Sequence, residues 1–160
     1  MIEYLKIFSL LNKNKIKYII VGGLAVNIHG IPRATYDIDL LLDMSNENLE
    51  KFIFFMKKLG FKPKIPVKIE NLLSKEKRKK WIEEKNMKAF SLYNPKFTIT
   101  EIDVVINTSI SYKDAIKNVV YKKIRNIILP VISIKDIIKM KTASARKQDI
   151  ADIEMLKKLL

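Results

Sequence analysis

Apolar side chains at Leu5, Phe8 and Leu10/Leu11 recur with helical spacing and predict an amphipathic helix over residues 2–14. The β-branched run Tyr18-Ile19-Ile20-Val21 predicts a short strand that stops at Gly22-Gly23. Leu24–Ile28 then reads as a short helix, with Pro32 breaking the pattern after it. Asp37 to Asp43 predicts a second strand, with Ile38, Leu40 and Leu42 on one face. Ser45 or Asn46 caps a helix that runs to Leu59 and stops at Gly60. Pro63 and Pro66 make residues 61–68 a loop or an edge strand. A lysine-rich helix is expected over 69–86, then strands over 87–93 and 98–107 with Asn94-Pro95 as the turn. A short helix near 112–119 precedes strand-like pieces over 121–133, broken by Pro130. Ser133 caps a final helical region that breaks near Ser144–Lys147 and resumes to Leu160. Strands alternating with helices predict an α/β fold, a mixed sheet flanked by helices in one domain over 1–160.

Composition adds limits. The chain of 160 residues is 48% apolar and 30% charged, which is globular. With no cysteine, disulfides, thiolate metal sites and cysteine nucleophiles are excluded. No stretch reaches the ~18 apolar residues that span a bilayer, and the start Met1-Ile2-Glu3-Tyr4-Leu5-Lys6 lacks a leader pattern. A cytoplasmic protein without membrane contact is expected. The net charge of +14 comes from 31 Lys+Arg against 17 Asp+Glu. Only four of the 31 are arginine, and lysine, isoleucine and asparagine are all overused. An AT-rich genome gives that composition without any nucleic-acid partner, so the charge alone assigns nothing.

The acidic residues say more. Asp37-Ile38-Asp39 in a strand puts both carboxylates on one face. Two such charges about 6 Å apart repel by roughly 3 kcal/mol at an effective dielectric of 20. Aspartate is also a poor strand former. Glu101-Ile102-Asp103-Val104-Val105-Ile106 repeats the pattern, with Glu101 and Asp103 on one face. If the two strands are neighbours, Asp103 joins Asp37 and Asp39 in a cluster whose hard oxygens suit Mg²⁺. The plainer reading is that these acids end strands or cap turns. The Gly22-Gly23 turn opens a helix directly after a strand, where free N–H groups and the helix dipole suit phosphate. It is neither a P-loop nor a dinucleotide fingerprint, because the G-K-[S/T] ending and the third glycine are missing.

Taken together, Gly22-Gly23, thirteen intervening residues and Asp37-Ile38-Asp39 resemble the signature of the DNA polymerase β-like nucleotidyltransferase superfamily. The form with Gly30, Arg33, Thr35, Asp37 and Asp39 looks most like the abortive-infection (AbiEii-type) toxin nucleotidyltransferases and their short relatives. Asp103 matches that superfamily's third carboxylate. The stretch from Lys139 through Lys141, Arg146 and Asp149 to Asp152 resembles its K-x-x-A-x-x-R-x-x-D-x-x-D ending. Residues 60–95 match nothing recognisable, and Gly23 stands where many relatives carry serine.

The resemblance implies a nucleotidyltransferase fold, with the C-terminal helices packed on the core. It implies transfer of a nucleoside monophosphate from an NTP to a hydroxyl, using two Mg²⁺ ions. Asp37 and Asp39 would bridge both ions, and Asp103 would bind the catalytic ion and help deprotonate the acceptor. Gly22 and Gly23 would hold the β and γ phosphates, Lys141 would offset charge on them, and Arg33 and Thr35 fall within the nucleotide site. Arg33 has a second reading, a pair with Asp149 or Asp152 that holds the C-terminal helix to the loop, and Thr35 a second one in satisfying backbone groups before the strand. The acceptor stays open among a tRNA or other RNA 3′ end, a protein and a small molecule. A cognate antitoxin or a homodimer is an expected partner. The alternative is a nucleotide- or partner-binding module of the same fold without catalysis. His29 reads as structural. Trp81, inside Lys75-Glu76-Lys77-Arg78-Lys79-Lys80-Trp81, is either an RNA-stacking aromatic or the apolar anchor of a solvated helix.

Overall fold

The computed structural model of the chain describes residues 2–97 and 101–160. Its frame is a mixed sheet of seven strands: β1 (Tyr18–Val21), β2 (Asp37–Leu42), β3 (Lys62–Pro63), β4 (Ala89–Tyr93), β5 (Glu101–Val105), β6 (Val120–Ile124) and β7 (Ile127–Val131). Their order across the sheet is β3-β4-β5-β2-β1-β7-β6. The central pairs β2–β5 and β1–β7 are parallel, and the other four pairs are antiparallel. The first three residues of the strand expected over 98–107 lie outside the described residues.

Seven α-helices accompany the described strands: α1 (Ile2–Lys13), α2 (Gly22–Ile28), α3 (Asn46–Leu59), α4 (Lys75–Lys85), α5 (Tyr112–Ala115), α6 (Ile134–Ser144) and α7 (Lys147–Lys157). Local chemistry sets their ends. Ser45 Oγ accepts from Asn48 N–H to start α3, and Gly60 ends it in the left-handed conformation at φ +91°. Leu49, Phe52, Ile53 and Met56 form the buried stripe between those caps. Ser133 caps α6 through Asp136 N–H.

Two expectations need correction. The single helix over 69–86 is a 3₁₀ turn at Ile69–Leu73 followed by α4, because Ser74 leaves the helical conformation to cap Lys77 N–H. Pro130 does not break the strand; it lies within β7, opposite Tyr121 of β6. The recorded β7–β1 pairing is confined to Ile20 and Val131, so the missing N–H of Pro130 disrupts no long ladder.

One face of β2, β5 and β4 carries the core residues Ile38, Leu40, Ile102, Val104, Phe90 and Leu92, all fully buried. Trp81 is buried and stacks on Phe90 with ring centroids 5.2 Å apart, which places α4 on this apolar face. Trp81 is therefore the anchor of a solvated basic helix. Trp81→Ala is expected to lower unfolding free energy by about 3–5 kcal/mol, read from urea denaturation midpoints. A loss below ~1 kcal/mol would contradict this packing role.

Candidate active site

The opposite face of the same strands is acidic. In the parallel β2–β5 register Asp37 faces Glu101 and Asp39 faces Asp103. Four carboxylates thus form two adjacent rows, because cross-strand partners share a face. Ligand oxygens of Asp37, Glu101 and Asp103 lie within 4.8 Å of one another. Glu101 was legible on the face of Asp103, but its place beside Asp37 depends on strand order and register. Asp39 sits deeper, and its carboxylate packs against Gly22.

That contact explains Gly22. It has φ +67°, and a Cβ there would lie 2.2 Å from Asp39 Oδ2. Only glycine meets both demands. Gly23 follows at the start of α2, where an added Cβ would lie 3.2 Å from Thr35 Oγ1 and 3.3 Å from Arg33 Cζ. Arg33 and Thr35 are therefore packed against the glycine turn. Thr35 Oγ1 also donates to the Asp37 carbonyl at 3.4 Å, while its own carbonyl accepts from Tyr4 Oη.

Burial pushes the Asp39 carboxyl up to about 7, and the nearby charges of Asp103 and Asp37 add to the shift. Arg146 and Lys141 pull it the other way without cancelling it. Asp103 is raised too, by burial first and by Glu101 and Asp37 next, against a hydrogen bond from Ser91. Its Oδ1 is buried without a hydrogen-bond partner. An orphaned oxygen in an undercompensated carboxylate group is the environment that a hard divalent cation completes, so these residues fit Mg²⁺.

Cations flank the acids on two sides. Lys64 forms an ion pair with Glu101 from the β3 edge. From the other side Lys141 is buried, with Nζ 3.2 Å from Asp149 Oδ1 and 2.8 Å from Asp152 Oδ2. Asp152 Oδ2 also pairs with Arg33 Nη1, so the loop-to-helix pairing read for Arg33 is present. Arg33 Nε is buried without a partner, so this guanidinium is not fully spent on the pair. Burial opposes ionisation of Asp149, but hydrogen bonds from Arg146, Ser144 and Lys141 outweigh it and hold the carboxyl well below its usual range. Arg146 had no assigned role in the sequence motif; it caps α7 through Asp149 and lies close enough to act on Asp39. His29 is structural, its Nε2–H donating to the Ile132 carbonyl at 2.7 Å.

A family model described as "Nucleotidyltransferase of unknown function (DUF6036)" matches residues 3–158. The chain belongs to this family. It is a nucleotidyltransferase, and the sequence likeness to the wider superfamily is upheld at that level. No protein of curated function matches it by sequence. Among solved structures it is similar to the lincomycin-bound lincosamide antibiotic adenylyltransferase LnuA, at 18% identity and TM-score 0.66, over 99% of this chain and 96% of that one. It is also similar to the antibiotic-resistance factor ANT(2″)-Ia, at 14% identity and TM-score 0.61, over 94% of this chain and 78% of that one. A nucleotidyltransferase-like protein from Paracoccidioides brasiliensis aligns at 18% identity and TM-score 0.58, over 95% of this chain and 72% of that one. At these identities the likeness establishes the fold: the DUF6036 chain has the nucleotidyltransferase architecture.

The shift on Asp39 has a signed consequence. Between about pH 4 and 7 the folded protein holds a proton there that the unfolded chain has released. Metal-free stability therefore falls as pH rises through that window. In EDTA, urea midpoints of the parent are expected to drop from pH 5 to pH 8, with a markedly flatter profile for Asp39→Asn. Equal slopes would overturn the assignment. Gly22→Ala is expected to fold less stably and to lose nucleotide transfer, measured by thermal unfolding and pyrophosphate release.

Proposed function

We propose that the chain, acting as one domain over 1–160, is a Mg²⁺-dependent enzyme that moves a nucleoside monophosphate from an NTP to a hydroxyl acceptor. The observation that carries this reading is the double row Asp37/Glu101 and Asp39/Asp103 closed on one side by the Gly22-Gly23 turn. Acids and anion-binding backbone meet there, as a metal-bound triphosphate requires.

Asp37, Asp39 and Asp103, joined by Glu101, would hold the cation. When bound, Mg²⁺ supplies charge compensation for the triphosphate and for the attacking and leaving oxygens. Gly22 and Gly23 present backbone to the β and γ phosphates without a Cβ in the way. Arg33, with its unpartnered Nε, lies beside that turn, and Thr35 holds the approach to Asp37. Lys141 and Arg146 keep positive charge near Asp39 and face charge that develops on the phosphates. The acceptor oxygen forms a bond to the α phosphorus, the bond from that phosphorus to the bridging oxygen breaks, and pyrophosphate leaves. The acceptor's proton goes to Asp103, whose Oδ1 is otherwise unpartnered.

A toxin role with a cognate antitoxin rests on the motif likeness at Gly30, Arg33, Thr35, Asp37 and Asp39. Among the described residues no helix is long and apolar enough to cross a membrane. A cytoplasmic setting would supply both NTP and Mg²⁺. A binding module without catalysis has less support, because every carboxylate of the array is in place.

The test is incubation with each α-labelled NTP, Mg²⁺ and cellular RNA, protein and metabolite fractions. Label is expected in one fraction with stoichiometric pyrophosphate release. Asp39→Ala is expected to reduce the rate by about 10³-fold, the scale of charge stabilisation worth several kcal/mol. Full activity in that variant would refute the assignment.

A further inference from the structure

The two acidic rows do not end at β5. Asp103 pairs in register with Ser91 of β4, and Lys64 N–H bonds to the Ser91 carbonyl from the β3 edge. The β4–β5 pairs end at Leu92 and Ile102; continuing the same alternation by one residue on each strand sets Tyr93 on the face of Ser91 toward Glu101, and Tyr93 pairs with Lys62. Cross-strand partners share a face, so two rows run Asp39, Asp103, Ser91, Lys64 and Asp37, Glu101, Tyr93, Lys62. The alternation in β4 agrees: Phe90 and Leu92 are buried on the other face, while Tyr93 is 39% exposed. The ion pair from Lys64 to Glu101 confirms that its chain lies over this face. Lys62 forms no ion pair among the described residues.

The face has a direction. The glycine turn, Arg33, Lys141 and Arg146 lie on the β1 side, where the NTP phosphates belong in the proposed reaction. That leaves the β4–β3 side for the acceptor. There it meets Ser91, then an exposed aromatic ring and two ammonium groups, about 10 Å across from β5 at ordinary strand spacing. The basic run on α4 cannot serve, because Trp81 fixes α4 on the opposite, apolar face.

We propose that this strip is an acceptor platform for the 3′ end of a single-stranded polynucleotide, with a base on Tyr93 and backbone phosphate at Lys62 and Lys64. It rests on the transferase reading above. Aromatic stacking beside cations suits single strands without demanding a base sequence. The terminal hydroxyl then gives its proton to Asp103 as its oxygen bonds to the α phosphorus, the bond from that phosphorus to the α–β bridging oxygen breaks, and pyrophosphate leaves.

The binding arm needs no catalysis. Fluorescein-labelled 12-nucleotide RNA and DNA single strands are titrated with the metal-free protein, and anisotropy is read at several salt concentrations. Tyr93→Ala is expected to weaken binding about tenfold. Lys62→Ala is expected to weaken it and to reduce the salt slope by about 0.7, one phosphate contact. A control, Lys79→Ala with Lys80→Ala on α4, is expected to leave that contact in place. RNA bound better than DNA, or the reverse, identifies which polynucleotide is used. In the transfer arm, label from the NTP is expected on a strand with a free 3′ hydroxyl and not on one blocked by 3′ phosphate. Tyr93→Ala is expected to raise KM for that strand about tenfold more than it lowers kcat. Parent-like binding by both platform variants, or label entering protein instead of polynucleotide, overturns the platform. Absence of pyrophosphate release by the parent with any acceptor overturns the transferase reading instead, and the anisotropy arm still decides the platform.

Discussion

Mutual repulsion among carboxylates held on one face of two parallel strands governs how this chain is built around its centre. Neighbouring strands bring Asp37 and Glu101, and Asp39 and Asp103, into register, where water has limited access. Folding onto that arrangement is unfavourable without compensation. The apolar side of the same strands provides part of it, since Ile38, Leu40, Ile102 and Val104 cannot be buried without placing the acids opposite them. Part of the remaining imbalance is met by Lys64 at Glu101 and by Lys141 and Arg146 near Asp39.

The neighbours of the array follow from it. Gly22 has no side chain because Asp39 occupies the space one would need. Lys64 reaches across from the sheet edge to Glu101, and Lys141 and Arg146 approach from the C-terminal helices. Lys141 and Arg33 share an oxygen of Asp152, so α7 is tied to the loop that leads into β2. A buried ionic cluster of this kind fixes geometry more than it adds stability. Here it fixes two cations beside the glycine turn.

The fold was largely legible because its signals are local. Period-two alternation marked β2 and β5, serine caps and Gly60 bounded the helices, and the glycine pair marked the strand-to-helix turn. The failures were local as well. Ser74 looked like one more polar residue inside a lysine-rich helix, and a proline in β7 looked like a break. Both depend on what the neighbouring backbone does with a hydrogen bond. In the site, Asp37, Asp39 and Asp103 stood out because aspartate between isoleucine and leucine in a strand is costly. Lys64 did not, since a lysine near a strand end is ordinary, and Glu101 was legible beside Asp103 but not beside Asp37, because that neighbourhood depends on strand register.

By itself the sequence determined which side chains share a strand face, because alternation is a property of the backbone and needs no partner. It also determined that a strand must stop at Gly22-Gly23, and it carried the likeness that family membership upheld. Tertiary structure decided which strands are neighbours and in what register. That choice turned two separate acidic strands into one array, put the basic α4 on the far side of the sheet, and brought Arg33 to Asp152 across 119 positions. Such contacts join residues far apart in the chain, and only the packing of the whole core selects them.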